Sequence, residues 1–254
     1  MQRTLVRHAR DDAFTPGQLP GFTYRDLGIA EATGGKFVAR VIRAVPDAPA
    51  QDDWHRHDHA FSITHVLKGW LEVEFEDIGP QRVEPGSVIY SWNGPRHREL
   101  RCGGDLEILS LTTAMPMGDV GEPRAVVQHA RDAAFEAGLR EYFVYRDFGV
   151  NAATTGAIGA HMVKVVPGTH PHGQWHTHDL GFQFVYVLDG WVEFEYEDIG
   201  RVRLERGSMV YQPPLVRHAE VAHSDDVVIL EIVAPGDFAT REVAAPARVP
   251  QAAE

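Results

Sequence analysis

"DWHRHDHAFSITHVLKGW", residues 53–70, places His55, His57, His59 and His65 ahead of an apolar run that closes on Gly-Trp. Alone it has two readings, metal ligands or a polar turn. A second stretch, "QWHTHDLGFQFVYVLDGW" at residues 174–191, repeats the pattern. At an offset of 121 residues, the step from His55 to His176, the chain aligns with itself without a gap: "VRHARDDAF" with "VQHARDAAF", "YRDLG" with "YRDFG", "WLEVEFEDIG" with "WVEFEYEDIG", "EPGSVIY" with "ERGSMVY". About four in ten positions from Val6 to Ala114 equal their partners, the mark of an internal duplication.

The duplication divides the 254 residues into two domains, expected at 1–117 and 122–240, each long enough to bury a core. The connector "TTAMPMGDVGEPRA", residues 112–125, is rich in Pro and Gly, and residues 241–254 lack an apolar period and are expected to form a flexible tail. A net charge of −12 argues against nucleic acid and anionic membranes as partners. The N-terminus has no secretory apolar core and no segment reaches the length of a membrane span, so a cytoplasmic monomer or homodimer is expected. Cys102 is the single cysteine, which excludes an intrachain disulfide; a small core or edge residue is its expected role.

Strand follows strand. "FVARVIRAV", "FSITHVLKG", "WLEVEFEDI", "SVIYSW" and "LEILSLTT" are β-branched or aromatic, partly alternating, and bounded by Pro, Gly and Asp, and the second half repeats each. Weak helical signals occur only near 8–14 and 129–135. The fold class is therefore all-β, a sandwich or barrel in each half. An exposed sheet edge in one half is expected to be covered by an N-terminal segment of the other.

In extended chain, residues two apart share a face, so His55 and His57, and likewise His176 and His178, point together. A third histidine recurs downstream in matched settings, His97 in "SVIYSWNGPRHRE" and His218 in "SMVYQPPLVRHAE". Three neutral imidazoles on one barrel interior suit a divalent transition metal, Fe, Mn, Ni, Co or Zn, with up to two ions per chain. His8 and His129 also recur but lack ligand spacing, and are expected to cap or sit at the surface.

These motifs resemble the cupin family. The first motif, His-x-His, then Glu, six residues and Gly, is similar to His176, His178, Gln183 and Gly190, and to His55, His57, Ser62 and Gly69. The second, Gly, five residues, Pro-x-Gly-x-x-His, is similar to Gly207, Pro213, Leu215 and His218, and to Gly86, Trp92, Gly94 and His97. The resemblance covers nearly the whole chain and implies two tandem jelly-roll-like cupin β-barrels. It implies no single function, because the family hosts oxygenases, isomerases, cyclases, decarboxylases and binding proteins.

Departures from the family pattern narrow the expectation. The family's glutamate, usually the fourth ligand, is Gln183 in one half and Ser62 in the other, so Gln183 offers an uncharged carbonyl and Ser62 falls short of the metal. Each ion would keep its full 2+ charge, which favours a small anionic chelating substrate such as a diketone, a phenolic or a 2-oxo acid. It argues against oxalate-type decarboxylases, which resemble the pattern with glutamate retained. Three-histidine members of the family include iron dioxygenases, and the His/Gln set resembles that of bicupin isomerases and cyclases. A dioxygenase is the leading expectation, an isomerase, a cyclase or a binding protein the alternative. Glu99 and Glu220, two residues after the third histidines, face inward as general bases or as partners of the imidazoles, whereas Arg96 and Arg217 face out. The second half, with the fuller ligand set, is expected to hold metal more tightly and to carry catalysis.

Overall fold

A computed structural model describes residues 2–9, 14–17, 19–45, 48–49, 51–138, 140–247 and 249–250. The chain is all-β, and it forms two compact units, Met1–Asp11 with Ala134–Glu254, and Asp12–Ala133. These bounds differ from 1–117 and 122–240 because each unit takes its edge strand from the other sequence repeat. Leu5–Arg7 pairs antiparallel with Met209–Gln212, and Arg124–Gln128 pairs with Val88–Trp92. Val6 and Val127, equivalent in the repeat, pack on the two apolar cores they reach. The exchange satisfies backbone groups that an open edge would leave unpaired.

The unit holding the second repeat has two sheets. One runs in the order Leu5–Arg7, Met209–Gln212, Phe182–Asp189, Val228–Ala234, Gly159–Val165, Phe143–Asp147, Glu136–Ala137. The other runs Gly200–Glu205, Trp191–Tyr196, His218–His223, His176–His178, Thr240–Glu242. Along Trp191–Tyr196 every second residue is buried, the period that a sheet with one apolar face requires. Val165, Val185, Val187, Phe194, Leu204 and Val210 form part of the resulting core.

In the other unit Phe61–Phe75 and His97–Thr113 run on as long paired strands with register shifts at Val66/Lys68, Lys68/Trp70 and Glu72/Val73. Such irregularities bend and twist a strand without ending it. In the second repeat the chain breaks at Gly190 instead, where φ is +64° and a Cβ would lie 2.4 Å from Ser224 Oγ and 2.8 Å from Val227 Cα. Only glycine fits that turn.

Among the described residues helix is confined to short turns. "YRDLG" and "YRDFG" build one each: the Asp26 and Asp147 Oδ1 atoms accept from Gly28 and Gly149 N at 2.7 and 2.8 Å, and the turns Ile29–Ala32 and Val150–Ala153 follow. The helical signal near 129–135 becomes a 3-10 turn at Ala130–Asp132, and that near 8–14 falls mostly outside the described residues. The expectation of a flexible tail from 241 is corrected for its first residues, because Thr240–Glu242 pairs with His176–His178, and Val243 N donates to Trp175 O at 2.9 Å. No helix among the described residues is long and apolar enough to cross a membrane.

Candidate metal centres

His176 and His218 face each other across paired strands, and His178 follows two residues on. Their ring centroids lie 4.3 Å (176–218), 4.9 Å (176–178) and 5.1 Å (178–218) apart. In the first repeat the centroids of His55, His57 and His97 are separated by 4.5 Å (55–97) and by 5.0 Å for both pairs that include His57. In each triad, ligand-capable atoms lie within 4.8 Å of one another.

The strand ends also select the tautomer. His55 Nδ1 meets Asp53 O at 2.9 Å, His97 Nδ1 meets Pro95 O at 3.0 Å, His176 Nδ1 meets Gln174 O at 2.8 Å and His218 Nδ1 meets Val216 O at 3.1 Å. A carbonyl only accepts, so Nδ1 carries the proton and the Nε2 lone pair is left for a metal. His178 Nδ1 lies 3.0 Å from Thr240 Oγ1, a contact supplied by the C-terminal strand. Burial holds His57 and His178 down at about 4, lowers His176, and with its two histidine neighbours pushes His218 far down. Neutral imidazoles with directed lone pairs fit a borderline divalent cation. His218 stacks on Tyr196 at 5.6 Å and His97 packs at a tilt on Phe75 at 5.3 Å, so an aromatic ring backs the third ligand in both repeats.

The fourth positions differ. Ser62 Oγ and Ser91 Oγ bond to each other at 2.8 Å. Glu99 closes the gap: its oxygens lie 3.6 Å from His55 Nε2 and 3.7 Å from His97 Nε2, and it joins the three histidines as a fourth candidate ligand. Its buried Oε2 has no hydrogen-bond partner among the described residues, as a carboxylate awaiting a cation would be. This corrects the expectation that the first-repeat site lacks a fourth protein donor and keeps the full 2+ charge: the donor comes from the strand of His97, at the same-face step of two.

In the second repeat Gln183 is buried, and its Nε2 donates to Glu231 Oε1 at 2.7 Å, which leaves Oε1 as the amide's atom for a metal. Glu231 pairs with His161 at 2.5 Å. Burial alone would raise the Glu231 carboxyl; the His161 charge and the bonds from His161 and Gln183 hold it at about 2, while Glu231 raises His161 against its own burial. Glu220 stands apart from the histidine group. Burial lifts its carboxyl to about 8 against the opposing Arg140 and Tyr142, and its Oε1 has no partner among the described residues.

A cavity of about 280 Å³ opens over the second triad, with Gln183, Val185 and Glu220 in its wall. Val187, two residues further along the same strand, lies in the apolar core and not in the wall. Arg96 and Arg217 pair with Glu76 and Glu197, away from the triads. The motifs gave no sign of Arg140. It comes from the segment ahead of Phe143–Asp147, and its Nη2 lies 3.1 Å from His176 Nε2 while Nη1 donates to Tyr142 Oη at 3.1 Å. A subtractive reading of the repeat would have exposed these residues: Arg140, Tyr142, His161 and Glu231 stand opposite Leu19, Gly21, Arg40 and Ser110.

Residues 161–234 match the cupin domain family, described as "Cupin domain". The fold is similar to that of a putative glyoxylate-induced protein from Pseudomonas aeruginosa, with 15% identity, a TM-score of 0.71 and coverage of 98% of this chain and 92% of that one. It is also similar to oxalate decarboxylase from Lactobacillus farciminis in a formate complex (12% identity, TM-score 0.69, 94% and 88% covered). Protein Ylba from E. coli is a third (12%, 0.68, 93% of each chain). At these identities the likeness carries the fold alone. No curated protein matches the chain by sequence.

Proposed function

We propose that the chain, whose residues 161–234 match the cupin domain family, is a metal-dependent cupin enzyme, an Fe(II)-type dioxygenase, acting on a small anionic chelating molecule in the second-repeat cavity. One observation carries the reading: ligand-capable nitrogens of His176, His178 and His218 lie within 4.8 Å of one another at a cavity that Arg140 also lines. His176, His178 and His218 would hold the ion, with the Gln183 carbonyl as a further donor. A bound divalent ion supplies Lewis acidity toward a chelating anion and, for iron, one-electron chemistry with dioxygen. Arg140 offers the paired N–H groups that carboxylates and enolates accept. Phe143, Val185, Phe194 and Ile229 line the cavity with apolar surface, which limits water and strengthens each charge inside it. The His161–Glu231 pair fixes Gln183 from behind.

A redox-neutral isomerase or cyclase is the second reading. Glu220, in the same wall with an unpartnered buried oxygen, is a proton-transfer group of the kind such a reaction needs. Elemental analysis of protein purified without added metal, then oxygen uptake with diketones, phenolics and 2-oxo acids after Fe(II) loading, tests both. Uptake coupled to substrate loss and abolished by His176→Ala supports the oxygenase. Turnover without uptake supports the isomerase or cyclase, and a protein that binds no metal at this triad refutes the proposal.

A further inference from the structure

The two triads carry opposite companions. Beside His55, His57 and His97 stands the Glu99 carboxylate, whereas beside His176, His178 and His218 stands the Arg140 guanidinium. Arg140 and Tyr142, which accepts its second bond, have no counterparts in the first repeat, where Leu19 and Gly21 occupy their places.

The contact with His176 creates a conflict. His176 Nδ1 is committed to Gln174 O, so Nε2 holds the ring's one available lone pair, and Arg140 Nη2 donates to it at 3.1 Å. A metal ion and an arginine N–H cannot share that lone pair. Nor can a permanently charged guanidinium rest against a 2+ ion without repulsion. A metal arriving at the triad must therefore displace Arg140, whose donors then need another acceptor. An anion in the same cavity, chelating the metal on one side and accepting from Arg140 on the other, answers both demands and stands where Glu99 stands in the first repeat.

We propose that metal and anion bind the second-repeat cavity as a thermodynamically linked pair, with Arg140 as the linking residue. This rests on the reading of that cavity as a metal centre, and it places the anion's charged group between the ion and Arg140. The first-repeat cluster, with Glu99 as its own anion, takes metal without such help. Arg140 shares the cavity wall with Glu220 and also borders an outer cavity of about 420 Å³ with Glu141 and Glu242, so these three carboxyl groups are the competing acceptors. Were the guanidinium to move onto any of them, metal binding would not depend on a small anion.

The test uses the full chain, stripped of metal, with His55→Ala silencing the first centre. Zn(II) affinity is measured by chelator competition with and without acetate as the monocarboxylate probe, and the His55→Ala/His176→Ala protein corrects for zinc–acetate association in solution. Linkage predicts that acetate raises zinc affinity by about tenfold or more, and that zinc raises acetate affinity by the same factor. Adding Arg140→Leu, or Arg140→Gln as a second variant, should give tight zinc binding without acetate and remove the acetate effect. Equal zinc affinity with and without acetate, unchanged in both Arg140 variants, overturns the linkage and leaves the metal centre standing. No zinc binding under any condition, in a folded protein, overturns both.

Discussion

Tyr196→Phe separates what the ring of Tyr196 does from what its hydroxyl does. The side chain is fully buried, its ring stacked on His218 with an interplanar angle of 21°, and its Oη accepts from Gln212 Nε2 at 2.9 Å. Gln212 is itself buried, and its Oε1 has no partner among the described residues, so removing the phenol oxygen takes away the side chain's one hydrogen bond. Stranding a buried amide donor costs roughly 1–3 kcal/mol, whereas replacing both partners with apolar groups of similar shape is close to neutral. The first repeat already holds Phe75 in place of Tyr196 and Ser91 in place of Gln212, and His97 still packs against Phe75. Tyr196→Phe should therefore destabilise its unit by about 2 kcal/mol, and at roughly 2–4 °C per kcal/mol lower its melting temperature by about 4–8 °C. Tyr196→Phe/Gln212→Met should lose less than the sum of the single changes, with a coupling of about 1 kcal/mol. Calorimetry of the four metal-free proteins measures this. Zinc affinity at the triad should be unchanged by Phe and fall about tenfold in Tyr196→Leu, which loses the stack. A Tyr196→Phe protein as stable as its parent, or strictly additive changes, would refute the reasoning.

Glu99→Gln, measured on a His176→Ala background that silences the other triad, should weaken metal binding at the first-repeat centre by about 10–100-fold, and unchanged affinity would remove Glu99 from the ligand set. Thr240→Val keeps the C-terminal strand but deletes the contact to His178 Nδ1. Metal affinity at the second triad should drop about tenfold with little change in melting temperature, and equal affinity would show that the strand alone orients the ring. The metal-free protein should lose stability as pH falls from about 6.5 toward 4. Folded His57 and His178 resist protonation down to about 4 while the unfolded chain binds protons from about 6.5, so unfolding takes up protons in that window. Denaturation midpoints across it check the sign, and saturating zinc should preserve the folded state over the upper part of the window.

What was legible in the sequence is what repeats locally. Side chains alternate faces every two residues along a strand, so His55 with His57, and His176 with His178, declared a shared face, and the offset of 121 residues supplied the third histidines and the duplicated all-β plan. The same step of two marked Glu99 and Glu220 as inward-facing. Their roles diverge because their surroundings differ: the first repeat has Leu19 and Gly21 in place of Arg140 and Tyr142 and Glu99 stays with its histidines, whereas Tyr142 and Arg140 draw Glu220 aside. No period in the chain encodes such partners. The exchange of edge strands, the Thr240 contact and the Arg140–His176 bond join residues that are 32 or more apart in sequence. Sheet closure alone sets those distances, and the tertiary structure therefore decides which triad meets a carboxylate and which a guanidinium.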